Sequence, residues 1–500
     1  MAKSQPNSSS AVVFAPTASD SRQFAALGGP FEIPRADTSA ARVRRQSAIN
    51  MAGGLLSQGV KFLVVIYVAR SFSPVQFGWL SFAIAVNAFL FIMAHFGLPV
   101  YGSRAVARVG VIHSDMLLNI CLTRALLSLV GTGVALAILW FVPMVSREEL
   151  LLVAIFGLSN APVAGLIDWV FQGLHRQDIS AILNIVWQLL WLGFIVLGVR
   201  GGASILVVPA ALCGSALLTA LLGYLWLTRS YGIAPGSVED SNQWQRSSRL
   251  LTAGTALGTG TLLITVLVWT DAIIIRLLRG DEAVGLYAAG NRAALALAML
   301  ASYFVQGAFP LLSSAAGSGN RFNACFQQCY EDLALAFVPV SFWSIFYSRE
   351  IIEILFKRPE YQAAAVVFQI FQLVFLVTVF ANLYGTGVLV ANHRDTDYRR
   401  SLMMATTVFV PLCASLVYLV GILGAAFAAL TAQALCAYFF VRKSRGLVRV
   451  DHRRALLVPV AIGLLMVAIS GAFHLTVLWS IPALLLGYGA LTAMRLQWTS

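Results

Sequence analysis

The sequence predicts an all-α, polytopic membrane protein of about fourteen transmembrane helices, and three observations carry that reading. Hydrophobic residues make up 59% of the chain and charged residues only 11%, with a mean hydropathy of +0.81, well outside the composition of soluble domains. The apolar residues fall in successive runs of about 20, the length of helix that crosses a bilayer. The basic residues behind the net charge of +13 crowd into the short gaps between runs, the pattern that orients membrane proteins. A nucleic-acid-binding surface is not the reading that such a distribution supports.

Residues 1–46 are polar, with arginines gathered at Arg42, Arg44 and Arg45. No apolar core follows the first lysine, so they read as a disordered cytoplasmic tail, not a secretory signal. The apolar spans then fall at about 48–69, 78–98, 117–142, 150–172, 179–198, 204–227, 250–278, 284–306, 333–346, 363–390, 401–420, 422–441, 455–474 and 476–494. The ninth is interrupted early by Ser348, Arg349 and Glu350.

There is an internal echo. Residues 44–86 run basic cluster, long span, Arg70 turn, then FGWLSFAIAV; residues 246–294 run basic cluster, long span, Arg279 turn, then VGLYAAGNRA, so Gly78 answers Gly285. The echo divides the chain into a six-helix lobe at 47–228, a cytoplasmic linker at 229–248, and a second six-helix lobe at 249–442. Two further helices and the C-terminus occupy 443–500. Such repeats are common in transporters.

With the N-terminus inside, 23 basic residues fall on the cytoplasmic side against 8 on the outer side. The bias, and the even number of spans, put both termini in the cytoplasm. The other three, Lys61, Arg124 and Arg292, lie within spans. No gap after the tail exceeds about 25 residues, too little for an external catalytic domain. There is no Walker A loop, HExxH pair or nucleophile elbow, so neither a catalytic residue nor a cofactor is expected. Four of the six cysteines sit in apolar spans as small hydrophobes. Cys325 and Cys329 fall in a segment read as a cytoplasmic loop with no histidine nearby, so no metal site is expected.

Function is sought in the polar residues inside the spans, because a charge at the bilayer centre costs roughly 2.5–3.5 kcal/mol. On the first span Asn50, Gly54, Ser57 and Lys61 share one helical face. Lys61 sits near mid-membrane, too deep for easy snorkelling, and is read as lining a cavity. Arg124 on the third span and Asp168 at the end of the fourth share a depth, either as a structural pair or with Asp168 as a gating residue. The seventh and eighth spans carry Asp271, Asn291 and Arg292. Asp271 is read as a counter-ion of Arg292 or Lys61, as an ion-coupling group, or as a partner of Arg276 at the outer interface. Three cations against two anions favour an anionic guest, such as a diphosphate.

The opening AINMAGGLLSQGVKFLVVIYVARSFSPVQFGWLSFA, the string DWVFQGLHR at 168–176 and VGLYAAGNRA at 284–293 resemble the Wzx-type polysaccharide-repeat flippases. These belong to the multidrug/oligosaccharidyl-lipid/polysaccharide exporter superfamily. The resemblance covers about 48–442. It implies two six-helix lobes around a central cavity and transport of undecaprenyl-diphosphate-linked oligosaccharide across the bacterial inner membrane. It also implies a cavity lined by Lys61, Arg124 and Arg292, to which Asn50 and Asn291 add polar groups. Membrane lipids and other polysaccharide-assembly proteins are the further partners it implies. The long polar tail departs from the family's short start. Two related functions compete: a lipid II flippase, which shares the fold, and an ion-coupled drug/cation antiporter, whose cavity would favour acidic residues.

Overall fold

The computed structural model describes residues 40–480 apart from 96, 110–111, 234–242, 475 and 478; for 40–51 and 243–259 it describes the helical backbone alone. Residues 1–39 of the expected tail, residues 234–242 of the linker and nearly all of the expected fourteenth span therefore lie outside the described residues. Thirteen helices among the described residues are long and apolar enough to cross a membrane, and the fold is all-α as the composition predicts.

In chain order the helices are α1 (Ala40–Ser71), α2 (Pro74–His95), α3 (Leu98–Val109), α4 (Ser114–Trp140), α5 (Arg147–Ala164), α6 (Asp168–Gly173), α7 (Gln177–Arg200) and α8 (Val207–Ser230). They continue as α9 (Gln243–Arg279), α10 (Asp281–Ala315), α11 (Asn320–Phe346), α12 (Ser348–Phe356), α13 (Ala364–Tyr384), α14 (Asp395–Val420), α15 (Ile422–Ser444) and α16 (His452–Ala472). Among the first eight, α1 packs on α7, α5 on α2, α4 and α8, and α7 on α8. Among the later ones, α13 packs on α10, α11 and α15, and α14 on α9 and α15, while α16 lies along α11. Contact between the two groups runs mainly through α2 against α9 and α10, and α1 against α10.

Two boundaries differ from the sequence expectation, and in the first of them α1 already begins at Ala40, inside the segment 1–46 read as a disordered tail. The ninth span begins at Asn320, not near residue 333, because polar residues such as Asn323, Gln327 and Glu331 carry the helix beyond its apolar run. Cys325 and Cys329 therefore sit on α11 and not in a loop. The short helices α3 and α12 escape a search for apolar runs because they are amphipathic. On α3, Leu98, Gly102 and Val106 are buried at a spacing of four while Tyr101 and Arg104 are exposed. Beyond α13 the chain makes a wide π-helical turn at Gly385–Val390.

The echo has a structural counterpart. A Cβ on Gly78 would lie 1.9 Å from the Asp281 carbonyl oxygen, and one on Gly285 would lie 2.0 Å from that of Pro74. Each would also meet the other glycine's amide nitrogen at 3.2 Å. The first turns of α2 and α10 thus press backbone on backbone about a local two-fold relation. The Cα–H groups face carbonyls in a contact that only glycine permits. Gly78→Ala or Gly285→Ala forces the two helices apart and costs about 1–3 kcal/mol. A thermal-unfolding midpoint in detergent should fall for either. Gly59→Ala, with nothing within 4 Å of the added methyl, should leave it unchanged or raise it.

Candidate functional site

The polar stripe of α1 lines a cavity of about 480 Å³ shared with α7 and α10. Gly53, Gly54, Ser57, Gln58 and Lys61 face it from α1, Gln177 and Asn184 from α7, and Tyr303 and Gln306 from α10. Lys61 is the one charged residue among these lining groups, and no carboxylate is among them. The wall is amide, hydroxyl and one ammonium, a set that donates hydrogen bonds to an anion and exchanges them with hydroxyls. Asn50 lies about three turns before Lys61 on the same helix, but its side chain is outside the described residues.

Arg292 occupies a different place. Its guanidinium stands 4.7 Å from the centre of the Trp269 ring, a cation–π contact, and it is not among the residues that line the Lys61 cavity. Asn291 and Asp271 line a separate, smaller cavity of about 100 Å³ with Thr378 and Gln433. Asp271 is 2% exposed. It accepts a hydrogen bond from the Tyr287 hydroxyl and another from the Ala272 amide at 2.7 Å, and has no ion-pair partner among the described residues. Arg276, the outer-interface partner considered for it, is engaged elsewhere. Its guanidinium holds Glu149 at 2.6 and 2.8 Å, and it also pairs with Asp281.

That cluster is the feature that sequence reading misses. Glu149 is wholly buried and Arg276 nearly so, and the pair joins α5 to α9 across 127 residues. The one local signal is Ser146 three residues before Glu149, the S-x-x-E spacing of a capping box. The box forms: Ser146 accepts from the Glu149 amide at 3.2 Å and its own amide donates to the Glu149 carboxylate at 2.8 Å. The carboxylate that caps α5 thus also receives the arginine. At the same end, Arg70 donates to the carbonyls of Leu355 and Ile354 at 2.7 Å each, and Arg279 donates to Val417 O at 3.1 Å and to Tyr418 O.

Arg124 and Asp168 are brought to a common cavity of about 240 Å³, but no ion pair joins them. Helix α5 contains Pro162 and stops at Ala164, leaving its last carbonyls without helical donors. Arg124, 2% exposed, supplies them. Nη1 donates to Ala164 O at 3.0 Å and Leu166 O at 3.5 Å, and Nη2 to Val163 O at 3.5 Å. Nη2 also donates to His95 Nε2 at 2.5 Å, which makes that nitrogen the acceptor and leaves Nδ1 to donate to Phe91 O at 2.8 Å. Asp168 instead accepts from Gln172 Nε2 at 3.2 Å. The terminal nitrogens of Arg124 therefore hold a helix end together.

Arg124 and Lys61 should separate experimentally. Arg124→Lys places one ammonium where two forked nitrogens serve three carbonyls and an imidazole, and should lower stability by about 2 kcal/mol. Lys61→Ala should leave the unfolding midpoint within about 1 °C, because no ion pair or hydrogen bond of Lys61 to the described residues holds the fold. Thermal unfolding of both variants in one detergent decides.

A family model described as polysaccharide biosynthesis protein matches residues 43–316. No curated protein sequence matches the chain. Among solved structures, lipid II flippase MurJ in an inward closed conformation is similar over 88% of this chain and 98% of its own, with a TM-score of 0.67 at 12% identity. The MATE multidrug transporter DinF-BH is similar over 84% and 98%, with a TM-score of 0.57 at 13% identity. A MOP superfamily transporter from Pyrococcus furiosus is similar over 81% and 96%, with a TM-score of 0.53 at 12% identity. At such identities the likeness is one of fold.

Proposed function

Because the chain belongs to the polysaccharide biosynthesis protein family, we propose that it is a flippase for undecaprenyl-diphosphate-linked oligosaccharide repeat units. Membrane flippase or transporter is the broad class that the family and the fold assign. The finer reading places the protein in the bacterial inner membrane with both termini in the cytoplasm, on the charge bias of its connecting segments. Its product would serve cell-surface polysaccharide assembly, of the O-antigen or exopolysaccharide kind.

The observation that carries this reading is the chemistry of the cavity around Lys61. One ammonium stands among amides and hydroxyls, with no carboxylate in the lining. A diphosphate gains a charge-assisted hydrogen bond there, while the amides suit sugar hydroxyls. The same lining disfavours a cationic drug, which would find a like charge and no counter-ion. Arg292 is assigned to the path rather than to this cavity, since Trp269 holds its face.

Lys61→Ala should abolish export, with lipid-linked repeat units accumulating on the cytoplasmic leaflet of the inner membrane. Lys61→Arg should retain part of it, because charge survives while donor geometry changes. Quantifying lipid-linked oligosaccharide in each leaflet checks both; normal export by Lys61→Ala at normal protein level would sink the proposal.

Asp168 and Asp271 are assigned to gating or ion coupling. After an anion leaves, positive charge in the path must be neutralised before the empty carrier can rearrange, and Asp271 is a buried carboxylate without an ion-pair partner near Arg292. Asp271→Asn is nearly isosteric. It should leave substrate binding intact and slow multiple-turnover transport in reconstituted vesicles by about tenfold, the equivalent of one lost charge interaction of ~1.4 kcal/mol. Unimpaired turnover would count against the assignment.

A further inference from the structure

The cavity of about 240 Å³ beside Arg124 is not needed to explain a diphosphate at Lys61, and its walls are unusual for a membrane interior. Three of its lining residues each carry a buried polar atom with no hydrogen-bond partner among the described residues: Arg124 Nε, Trp187 Nε1 and Thr219 Oγ1. Arg124 and Thr219 are each only 2% exposed. An unmade hydrogen bond on a buried group costs about 1–3 kcal/mol, so three such groups on residues around one cavity favour a guest whose acceptors can reach them. An acceptor is present too, in the Asp168 carboxylate. Part of the lining is aromatic: Phe91 and His95, beside Arg124, stack at 3.7 Å between ring centres and 24° between planes. The His95 ring is held there from both sides by Phe91 O and Arg124.

Aromatic faces, N–H and O–H donors and one carboxylate in a small cavity match the two-sided chemistry of a pyranose. Its C–H face lies on rings and its hydroxyls both give and accept hydrogen bonds. At about 30 Å³ per water the volume equals that of roughly eight waters, room for one sugar ring and not for a chain. Asn184 lines this cavity and the Lys61 cavity alike, so the two adjoin at one side chain.

We propose that this cavity is a sugar subsite, which takes the ring nearest the diphosphate while Lys61 holds the diphosphate itself. The inference rests on the flippase reading above, and it assigns Trp187 and Thr219 as residues that determine which sugar is accepted. Arg124 contributes Nε while its terminal nitrogens keep their structural task.

Binding of two probes to the purified full-length protein tests it: undecaprenyl diphosphate alone, and the same lipid bearing a single hexose or N-acetylhexosamine. Wild type should bind at least one sugar-bearing lipid more tightly than the bare lipid. Trp187→Phe keeps an aromatic face and loses the N–H together with the smaller ring of the indole; Thr219→Val keeps the shape and loses only the hydroxyl. Each should weaken the sugar-bearing lipid roughly tenfold and leave the bare lipid unchanged. Lys61→Ala should weaken both. Wild type that does not distinguish bare from sugar-bearing lipid overturns the subsite, as do Trp187 and Thr219 variants that bind both probes normally or lose both equally. Lys61→Ala that binds both probes normally overturns the diphosphate reading instead, so the two failures are told apart.

Discussion

Two glycines facing two carbonyls set the geometry of this molecule. Gly78 and Gly285 let the first turns of α2 and α10 meet without side chains between them, and the neighbouring contacts follow from that approach. Asp281, whose carbonyl meets Gly78, also pairs through its side chain with Arg276, which in turn holds Glu149. Backbone proximity and charge pairing are thus two layers of one seam between the earlier and the later helices. An added methyl at either glycine would act on both layers together.

The cations within the helices show how a membrane interior sorts charge by what surrounds it. Desolvation makes an unpaired charge costly, and the chain meets that cost in distinct ways. Arg276 takes carboxylates. Arg124 takes the carbonyls at the end of α5 and just beyond it. Arg292 takes an aromatic face. Lys61 has, among the described residues, only the neutral polar wall of a cavity, and of these four it is therefore the cation left free for a guest. The distinction between structural and functional charge rests on these partners, not on depth in the membrane.

Much of the fold was legible from hydropathy, because in lipid a run of about 20 apolar residues has few alternatives to a helix. The match between Gly78 and Gly285 was legible too, although its meaning was not: a repeated pattern does not say that the two copies touch. Lys61 was found from the four-three-four spacing of its polar neighbours. Arg124 was found as a charge but not as a helix cap, since its acceptors are backbone atoms and carry no residue identity. Glu149 was hidden because its local role at the start of α5 accounts for it fully until Arg276 arrives from a distant helix. The polar beginning of α11 was missed for a simpler reason: a helix that emerges from the membrane changes its composition without changing its backbone.

Arg70, Arg124 and Arg279 share a habit with a consequence for how such a protein varies. Each fixes a remote segment by donating to main-chain oxygens, at Ile354 and Leu355, at Val163, Ala164 and Leu166, and at Val417 and Tyr418. Every residue type offers the same oxygen, so the receiving positions are free to drift while the arginines are not. Relatives can therefore diverge until little identity survives and still keep these ties. A search for pairs of positions that change together would pass over them, because only one member of each pair has anything to change.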